Sequence, residues 1–198
     1  ERERSEYLMA AQADDHGPGR AHSRLVPGGS VANTLAGIGM LGLRTAFIGR
    51  VADDPLGLSY AEQTEAAGTV FVNPPVAGDP LPTSRSIILV TPDGERSMNT
   101  YLGISAELGL DDVNPSVFQG AGWLFLEGYL FDKPKGKEAF LKAAKSCHGA
   151  GGQAGIALSD PFCVDRHRTD FRRLVRDLDY VIGNRHEWES LYESDLTS

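Results

Sequence analysis

The chain alternates short apolar segments typical of buried strands with longer segments of helical pattern along most of its length. The runs TAFIG at 45–49, GWLFLEG at 122–128 and DYVIGN at 179–184 are rich in strand-forming residues, and segments of helical pattern separate them. Strands that alternate with helices form parallel βαβ units, whose helices cover the faces of one sheet. The sequence therefore predicts an α/β fold built on a doubly wound, mostly parallel sheet.

The individual elements follow from apolar periodicity and from glycine and proline at the boundaries. Helices are expected at 1–13, 31–41, 56–67, 112–118, 136–149, 166–177 and 185–192. Strands are expected at 45–49, 69–72, 84–91, 96–102, 122–128, 153–160 and 179–184. Ligands of doubly wound folds bind at the carboxyl ends of the strands, so the residues that follow each strand are the first candidates for a site.

One segment interrupts the alternation. The strands SRSIILVT at 84–91 and RSMNTYL at 96–102 flank the turn Pro92-Asp93-Gly94-Glu95, which predicts an antiparallel hairpin. This hairpin is too long and too apolar for a simple surface turn. We expect residues 83–102 to form a small second sheet that projects from an α/β domain made of residues 1–82 and 103–198.

Charge and composition exclude several classes of protein. The net charge is −8, which argues against binding to nucleic acid, because neutralising phosphates needs a basic surface. No stretch approaches the roughly 20 apolar residues that span a bilayer, and the N-terminus lacks the apolar core of a signal peptide. Only two cysteines, Cys147 and Cys163, occur, and neither has the spacing of a metal ligand. We expect a cytoplasmic protein without a nucleic-acid or membrane partner.

Two segments that contain glycine can be compared with known phosphate-binding motifs. The residues GIGMLG at 37–42 match the glycine pattern of dinucleotide-binding proteins, but that pattern must follow a strand and open a helix. Here it lies inside a predicted helix, and the strand comes afterwards. A nicotinamide-binding or flavodoxin-like domain is therefore the weakest alternative. Gly136-Lys137 is the only Gly-Lys pair, and the residue after it does not fit a Walker loop.

The most informative segment is 27–57. Gly28-Gly29 precedes a helix, so bare backbone N–H groups can approach a ligand there. Asn33 lies one turn into that helix, and its amide can both donate to and accept from hydroxyl groups. Taken alone, this spacing also fits an ordinary glycine turn that starts a helix.

Further residues repeat a known pattern in the same order along the chain. They are Gly28, Gly29, Asn33, Leu41-Gly42, Gly49, Asp54-x-x-Gly57, the segment TSRSIILVTPDGERSMNTYLGIS at 83–105, Asp160-Pro161, and Asn184-x-x-Glu187. Over nearly all of 25–195 this series resembles the ribokinase-like carbohydrate and nucleoside kinases, the PfkB family. The details TPDGERSMNTYLG, LEGYLFD and LSDPFCVDRHR look most like a bacterial adenosine-kinase-like branch.

The resemblance implies a ribokinase-like fold and ATP-dependent phosphorylation of a hydroxyl on a sugar or nucleoside, such as adenosine, ribose or fructose. Gly28, Gly29 and Asn33 would bind the hydroxyls of the substrate. Asn184 and Glu187 would organise Mg²⁺ and phosphate without a metal cluster of their own, since an amide and a carboxylate oxygen suit a hydrated hard cation. The hairpin at 83–102 would close as a lid, and in many relatives it also forms a homodimer interface.

Two parts of the family pattern lie outside this sequence. The family has an N-terminal strand that carries a substrate-binding Asp, and a Gly-Ala-Gly-Asp motif that supplies the catalytic base and the anion hole. We expect the catalytic Asp beyond Ser198 in the intact protein. Phosphoryl transfer depends on positioning and electrostatic stabilisation, so the alternative function is a catalytically inactive fragment that binds a sugar or nucleoside.

Overall fold

The computed structural model describes residues 25–195, so the helix expected at 1–13 lies outside the described residues. The helices are α1 (Ser30–Met40), α2 (Pro55–Ala66), α3 (Pro134–Gly149), α4 (Pro161–Arg166), α5 (Arg168–Leu174) and α6 (Arg185–Tyr192). The strands are β1 (Thr45–Phe47), β2 (Thr69–Phe71), β3 (Arg85–Val90), β4 (Arg96–Tyr101), β5 (Trp123–Glu127), β6 (Gln153–Ala157) and β7 (Tyr180–Ile182).

Parallel pairing dominates the sheet. β1 pairs with β2, and β5, β6 and β7 form a three-stranded sheet in sequence order; all of these pairs are parallel. β3 and β4 form a separate antiparallel sheet, in which Ile88 lies opposite Met98 and Val90 lies opposite Arg96. The predicted α/β class with a small antiparallel sheet is confirmed.

The main core lies between α3 and the sheet of β5 and β6. One face of α3 repeats buried residues at helical spacing, from Ala139 and Phe140 through Ala143 to Cys147. The aromatic ring of Phe131 packs between Phe140 and Phe171 in this core. The cluster also contains Leu126, Ile156, Leu158, Cys163, Val164 and Leu191. This cluster packs against one face of the sheet and so holds the carboxyl ends of its strands in fixed positions.

Helix α1 is packed much more loosely. It contacts β1, β2 and β5, yet none of its eleven residues is buried among the described residues. Gly37 and Gly39 lie inside this helix, and β1 follows it. The dinucleotide alternative is therefore wrong, because its glycines must follow a strand and precede a helix.

A junction of several hydrogen bonds joins α2 to the base of the hairpin. Asp54 is the N-cap of α2, and its carboxylate accepts hydrogen bonds from the Gly57 N–H at 2.8 Å and from the backbone and hydroxyl of Thr83 at 2.9 and 2.8 Å. The Thr83 hydroxyl also accepts from the Ala52 N–H at 3.0 Å. Burial opposes ionisation of Asp54, but these hydrogen bonds outweigh it and lower the pKa of the carboxyl.

Two predicted helices are wrong in form. In place of a helix at 112–118 the chain makes two 3₁₀ turns, Leu110–Asp112 and Pro115–Phe118. The carboxylate of Asp112 accepts from Arg50 and from the Gly109 N–H, both at 2.9 Å. A continuous helix is interrupted at Pro115, which lacks a backbone N–H, and the Asn114 side chain starts a new turn there by accepting from the Ser116 N–H at 3.0 Å.

The helix expected at 166–177 is shorter in the structure, where it is α5 (Arg168–Leu174). A further helix, α4 (Pro161–Arg166), precedes it where no helix is predicted, and a break separates the two. The break falls at His167, whose backbone leaves the helical region at φ −121° and ψ 24°. Its ring nitrogen Nε2 lies 2.8 Å from a carboxylate oxygen of Asp132.

No helix among residues 25–195 is long and apolar enough to cross a membrane.

Candidate functional site

Polar side chains gather where three neighbouring strands end. Glu127 is the last residue of β5, Ser159 follows β6 by two residues, and Asn184 follows β7. Because β5, β6 and β7 are parallel neighbours, these residues lie at one edge of the sheet. This is the edge at which doubly wound folds bind their ligands.

Glu127 is the centre of this group. Its Oε2 accepts a hydrogen bond of 2.6 Å from the hydroxyl of Ser30, the first residue of α1. Its Oε1 accepts from the hydroxyl of Ser159, and that hydroxyl also accepts from the Gly128 N–H at 2.9 Å. The carboxylate thus joins the start of α1 to the ends of β5 and β6.

The environment of Glu127 favours its neutral form. Partial burial raises the pKa of this carboxyl, the hydrogen bond from Ser30 lowers it, and the negative charge of Glu187 raises it again. The net direction is upward. A half-buried carboxyl with a raised pKa at a ligand-binding edge is a typical feature of a functional site.

The glycine turn before α1 is held beside this carboxylate. Gly29 is the N-cap of α1 with φ 108°, a conformation that an L side chain rarely adopts. No described side chain caps this helix, because its N-cap residue, Gly29, has no side chain. The backbone N–H groups of the first turn therefore remain available to a ligand oxygen.

Tyr60 fixes the position of the turn. Its hydroxyl donates to the Gly28 carbonyl at 3.1 Å, and its ring packs against Phe47 and Phe71. Burial raises the pKa of Tyr60 to about 12, so the phenol stays protonated and able to donate. Asn33 is exposed one turn further along α1, where it lines a crevice of about 50 Å³ against α2.

Asn184 and Glu187 are brought together at the start of α6. The Asn184 side chain accepts from the Glu187 N–H at 3.0 Å, and the Glu187 carboxylate accepts from the Asn184 backbone and side-chain nitrogens at 2.9 and 2.8 Å. The pair is a reciprocal capping box, and Glu187 is only 6% exposed. Each carboxylate oxygen has one hydrogen bond and keeps further lone pairs, which fits hydrogen bonding to the waters around a cation.

Direct metal ligands are a separate question. Within residues 25–195, no group of three or more His, Cys, Asp or Glu side chains is arranged to hold a metal ion. The amide and carboxylate oxygens at the start of α6 are donor types that suit a hydrated hard cation such as Mg²⁺.

Tyr129 adds an aromatic ring to the same edge. It lies two residues after Glu127 and is 52% exposed. Partial burial raises the pKa of its phenol, and the nearby carboxylates of Asp160 and Glu127 raise it further. Tyr129 therefore places a half-exposed aromatic ring close to the candidate hydroxyl-binding group.

Five residues of this site have no role in the sequence-based hypothesis: Ser30, Tyr60, Glu127, Tyr129 and Ser159. Only one local signal points to any of them, since Glu127 is a single acidic residue at the end of the apolar strand WLFLE. Ser30 and Glu127 are 97 positions apart, and only the fold brings them together. The structure does bring Gly28 and Gly29 to the same place, through Ser30 and Tyr60.

Comparison of this chain with known proteins identifies a family and several similar structures. The family model described as pfkB family carbohydrate kinase matches residues 10–198, and the chain belongs to that family. The crystal structure of adenosine kinase from Sinorhizobium meliloti is 42% identical, with a TM-score of 0.85 over 97% of this chain. A probable sugar kinase from Rhizobium etli is also 42% identical, with a TM-score of 0.85 over 98% of this chain.

Curated relatives are more distant. A fructokinase from Escherichia coli is 27% identical over 166 residues, which cover 82% of this chain. The chain spans 54% of that fructokinase and 57% of the Sinorhizobium meliloti adenosine kinase. It therefore corresponds to a little more than half the length of these relatives.

Proposed function

We propose that the protein to which this chain belongs is an ATP-dependent kinase that phosphorylates a hydroxyl group of a nucleoside or sugar. The observation that supports this most directly is the contact of Glu127 with Ser30 and Ser159, beside the Gly28-Gly29 turn. Family membership supports phosphoryl transfer as the reaction.

The chemistry of this group suits a sugar ring. An ionised carboxylate only accepts hydrogen bonds, and Glu127 retains lone pairs beyond those used by the two serines. The free N–H groups at the start of α1 only donate. Neighbouring hydroxyls of a ribose can donate to the carboxylate and accept from the backbone at the same time, and Asn33 can add a contact of either kind. This arrangement orients the hydroxyl that will attack ATP.

A nucleoside is the substrate class that we put first. Tyr129 supplies a half-exposed ring near Glu127, and an aromatic face suits a nucleobase better than a bare sugar. The similarity to the Sinorhizobium meliloti adenosine kinase extends over nearly the whole chain. Adenosine is therefore the first candidate, ahead of ribose and fructose.

Asn184 and Glu187 would act on the phosphate side of the reaction. Their amide and carboxylate would hold the water shell of Mg²⁺. When bound, Mg²⁺ neutralises negative charge on the transferring phosphoryl group. The capping box keeps both side chains in place before any ligand arrives, so little ordering is needed on binding.

The first experiment measures ADP release and ligand binding with the same purified protein. We expect calorimetry to detect adenosine binding that is tighter than the binding of ribose or fructose, and we expect adenosine to stimulate ADP release from MgATP. Adenosine binding without ADP release would favour the alternative of an inactive binding fragment. If none of the three ligands bound, the proposed site would be wrong.

The hairpin is proposed to close over the substrate and to pair with a second copy of the chain. Ile88, Val90 and Met98 share one face of this sheet and are 48%, 64% and 60% exposed. Such an exposed apolar surface is typical of an interaction site. Closure of a lid would also keep water from competing with the substrate hydroxyl.

Replacing Met98 with lysine tests this pairing. We expect sedimentation of the unmodified chain to shift from monomer to dimer as concentration rises, and the M98K variant to remain a monomer because a charge would be buried at the interface. The control is L141K, which changes an equally exposed apolar residue on α3. A monomer at every concentration of the unmodified chain would disprove pairing through the hairpin.

A further inference from the structure

The backbone of Ser159 is strained. Its φ is 71°, and within residues 25–195 only Ser159 and Glu193 have positive φ without being glycine. Glycine adopts this conformation without the steric cost that a Cβ imposes. A serine at such a position, next to a ligand-binding edge, suggests that its side chain has a task there.

The hydroxyl of Ser159 faces Glu127. It donates to Glu127 Oε1, and it accepts from the Gly128 N–H at 2.9 Å. The carbonyl of Ala157 lies 3.0 Å away as a second possible acceptor. β5 and β6 are paired up to Glu127 and Ala157, so Ser159 lies just past the point at which their ladder ends.

The left-handed turn is what aims the hydroxyl. Side chains along a strand alternate between the two faces of a sheet and do not point along its edge. The turn at Ser159 ends this alternation, and the hydroxyl returns toward the neighbouring strand instead of continuing outward. Ser30 holds the other oxygen of the same carboxylate from helix α1. The Glu127 carboxylate is thereby fixed from two sides.

We propose that Ser159 is a positioning residue that acts through Glu127, holding its carboxylate in the orientation that binds a substrate hydroxyl. This inference rests on the proposed function, because it assigns Glu127 to substrate binding. Ser159 itself does not contact the substrate. Its hydroxyl restricts the rotation of the carboxylate, so the ligand finds an acceptor already in place.

A purely structural role is the competing explanation. In that case the hydroxyl would serve only to join β5 to β6 through the Gly128 N–H, and its loss would destabilise the fold. Replacement by glycine separates the two roles, because S159G removes the hydroxyl and also relieves the backbone strain. We expect S159G to unfold in urea at the same concentration as the unmodified protein or a higher one.

A double-mutant cycle tests the coupling to Glu127. We expect S159G to weaken adenosine binding roughly fivefold, the size expected for one hydrogen bond. The same substitution in an E127Q background should cause little further loss, since the group that it positions has been changed. S190A is the control, because Ser190 also donates a hydrogen bond, to the Pro161 carbonyl. An equal loss in both backgrounds would overturn the proposal.

A second measurement does not depend on any ligand. Loss of a hydrogen-bond donor makes a carboxylate harder to ionise. Carbon NMR of the Glu127 carboxyl should therefore show a higher pKa in S159G than in the unmodified protein, with Ser30 and Glu187 still facing the group. An unchanged pKa would overturn the coupling even if adenosine proved not to be the substrate. If E127Q lost adenosine binding and S159G kept it, Glu127 would remain a substrate ligand and the role proposed for Ser159 would be overturned.

Discussion

Replacing Glu127 with glutamine is expected to weaken adenosine binding by roughly 10- to 100-fold. A hydrogen bond to a charged acceptor contributes about 1.5–3 kcal/mol, and each 1.4 kcal/mol corresponds to about tenfold in affinity. The amide of glutamine keeps the shape of the side chain but presents a donor where the substrate hydroxyl needs an acceptor. Calorimetry of the two proteins at the same pH measures the difference.

The E127Q variant is not expected to lose stability at neutral pH. Folding raises the pKa of Glu127 above its ordinary value of 4.5, so the folded protein holds this proton more tightly than the unfolded chain does. The residue thus contributes to stability below that value, and the contribution is lost as the pH rises through the raised pKa. At pH 7 the ionised carboxylate opposes folding, and glutamine removes that cost.

An exposed glutamate provides the control for this experiment. Glu65 lies on the surface of α2, and E65Q should bind adenosine as the unmodified protein does. If E127Q also retained full affinity, Glu127 would not be a substrate ligand. The pH dependence gives a further check, because adenosine binding should weaken as the pH falls through the pKa of Glu127 and should not do so in E127Q.

Replacing Gly57 with alanine is expected to destabilise the protein by about 4 kcal/mol, a large part of the stability of a typical domain. The new Cβ would lie 2.0 Å from the Ala52 carbonyl oxygen and 2.7 Å from the Thr83 hydroxyl oxygen. Ala52 and Thr83 both belong to the junction built around Asp54, and moving them disrupts the hydrogen bonds of the Thr83 hydroxyl with the Ala52 N–H and the Asp54 carboxylate. Urea unfolding followed by circular dichroism measures the loss.

Gly37 provides a matched comparison. It also lies inside a helix, α1, but no described atom would come within 4 Å of an added Cβ. G37A should therefore stabilise the protein slightly, by about 0.5–1 kcal/mol, since alanine is the better helix former. A loss of less than about 1 kcal/mol in G57A would mean that the junction yields easily and does not hold the base of the hairpin.

Local patterns were sufficient for much of this fold. The hairpin is predicted because its two strands and its turn are contiguous, so Ile88 finds Met98 across only a few residues. The helix at 185–192 is likewise predicted, and the capping box of Asn184 and Glu187 that starts it spans a single helical turn. In both cases the partners are close in sequence, and the energies that decide the structure are local.

The error at 112–118 is also local, because Pro115 lacks the N–H that a continuous helix needs. The other failures depend on residues that are distant in sequence. The break at His167 depends on Asp132, 35 positions earlier. Glu127 was overlooked for the same reason, because its partner Ser30 belongs to a distant helix. No periodicity within a short window contains information about such contacts.

The loose packing of α1 determines how ligand binding would change the local opening of this helix. Local opening is easiest where few residues are buried. Among the described residues α1 has no buried residue, whereas α3 has six. A substrate held by the Gly28-Gly29 turn and Glu127 would bind only while α1 is folded and packed on the sheet. Binding would therefore protect the amides of α1 from hydrogen exchange. Part of the intrinsic affinity would be spent on holding α1 in that state. Among the helices of residues 25–195, the one with no buried residue would then be the element whose hydrogen exchange indicates whether the site is filled.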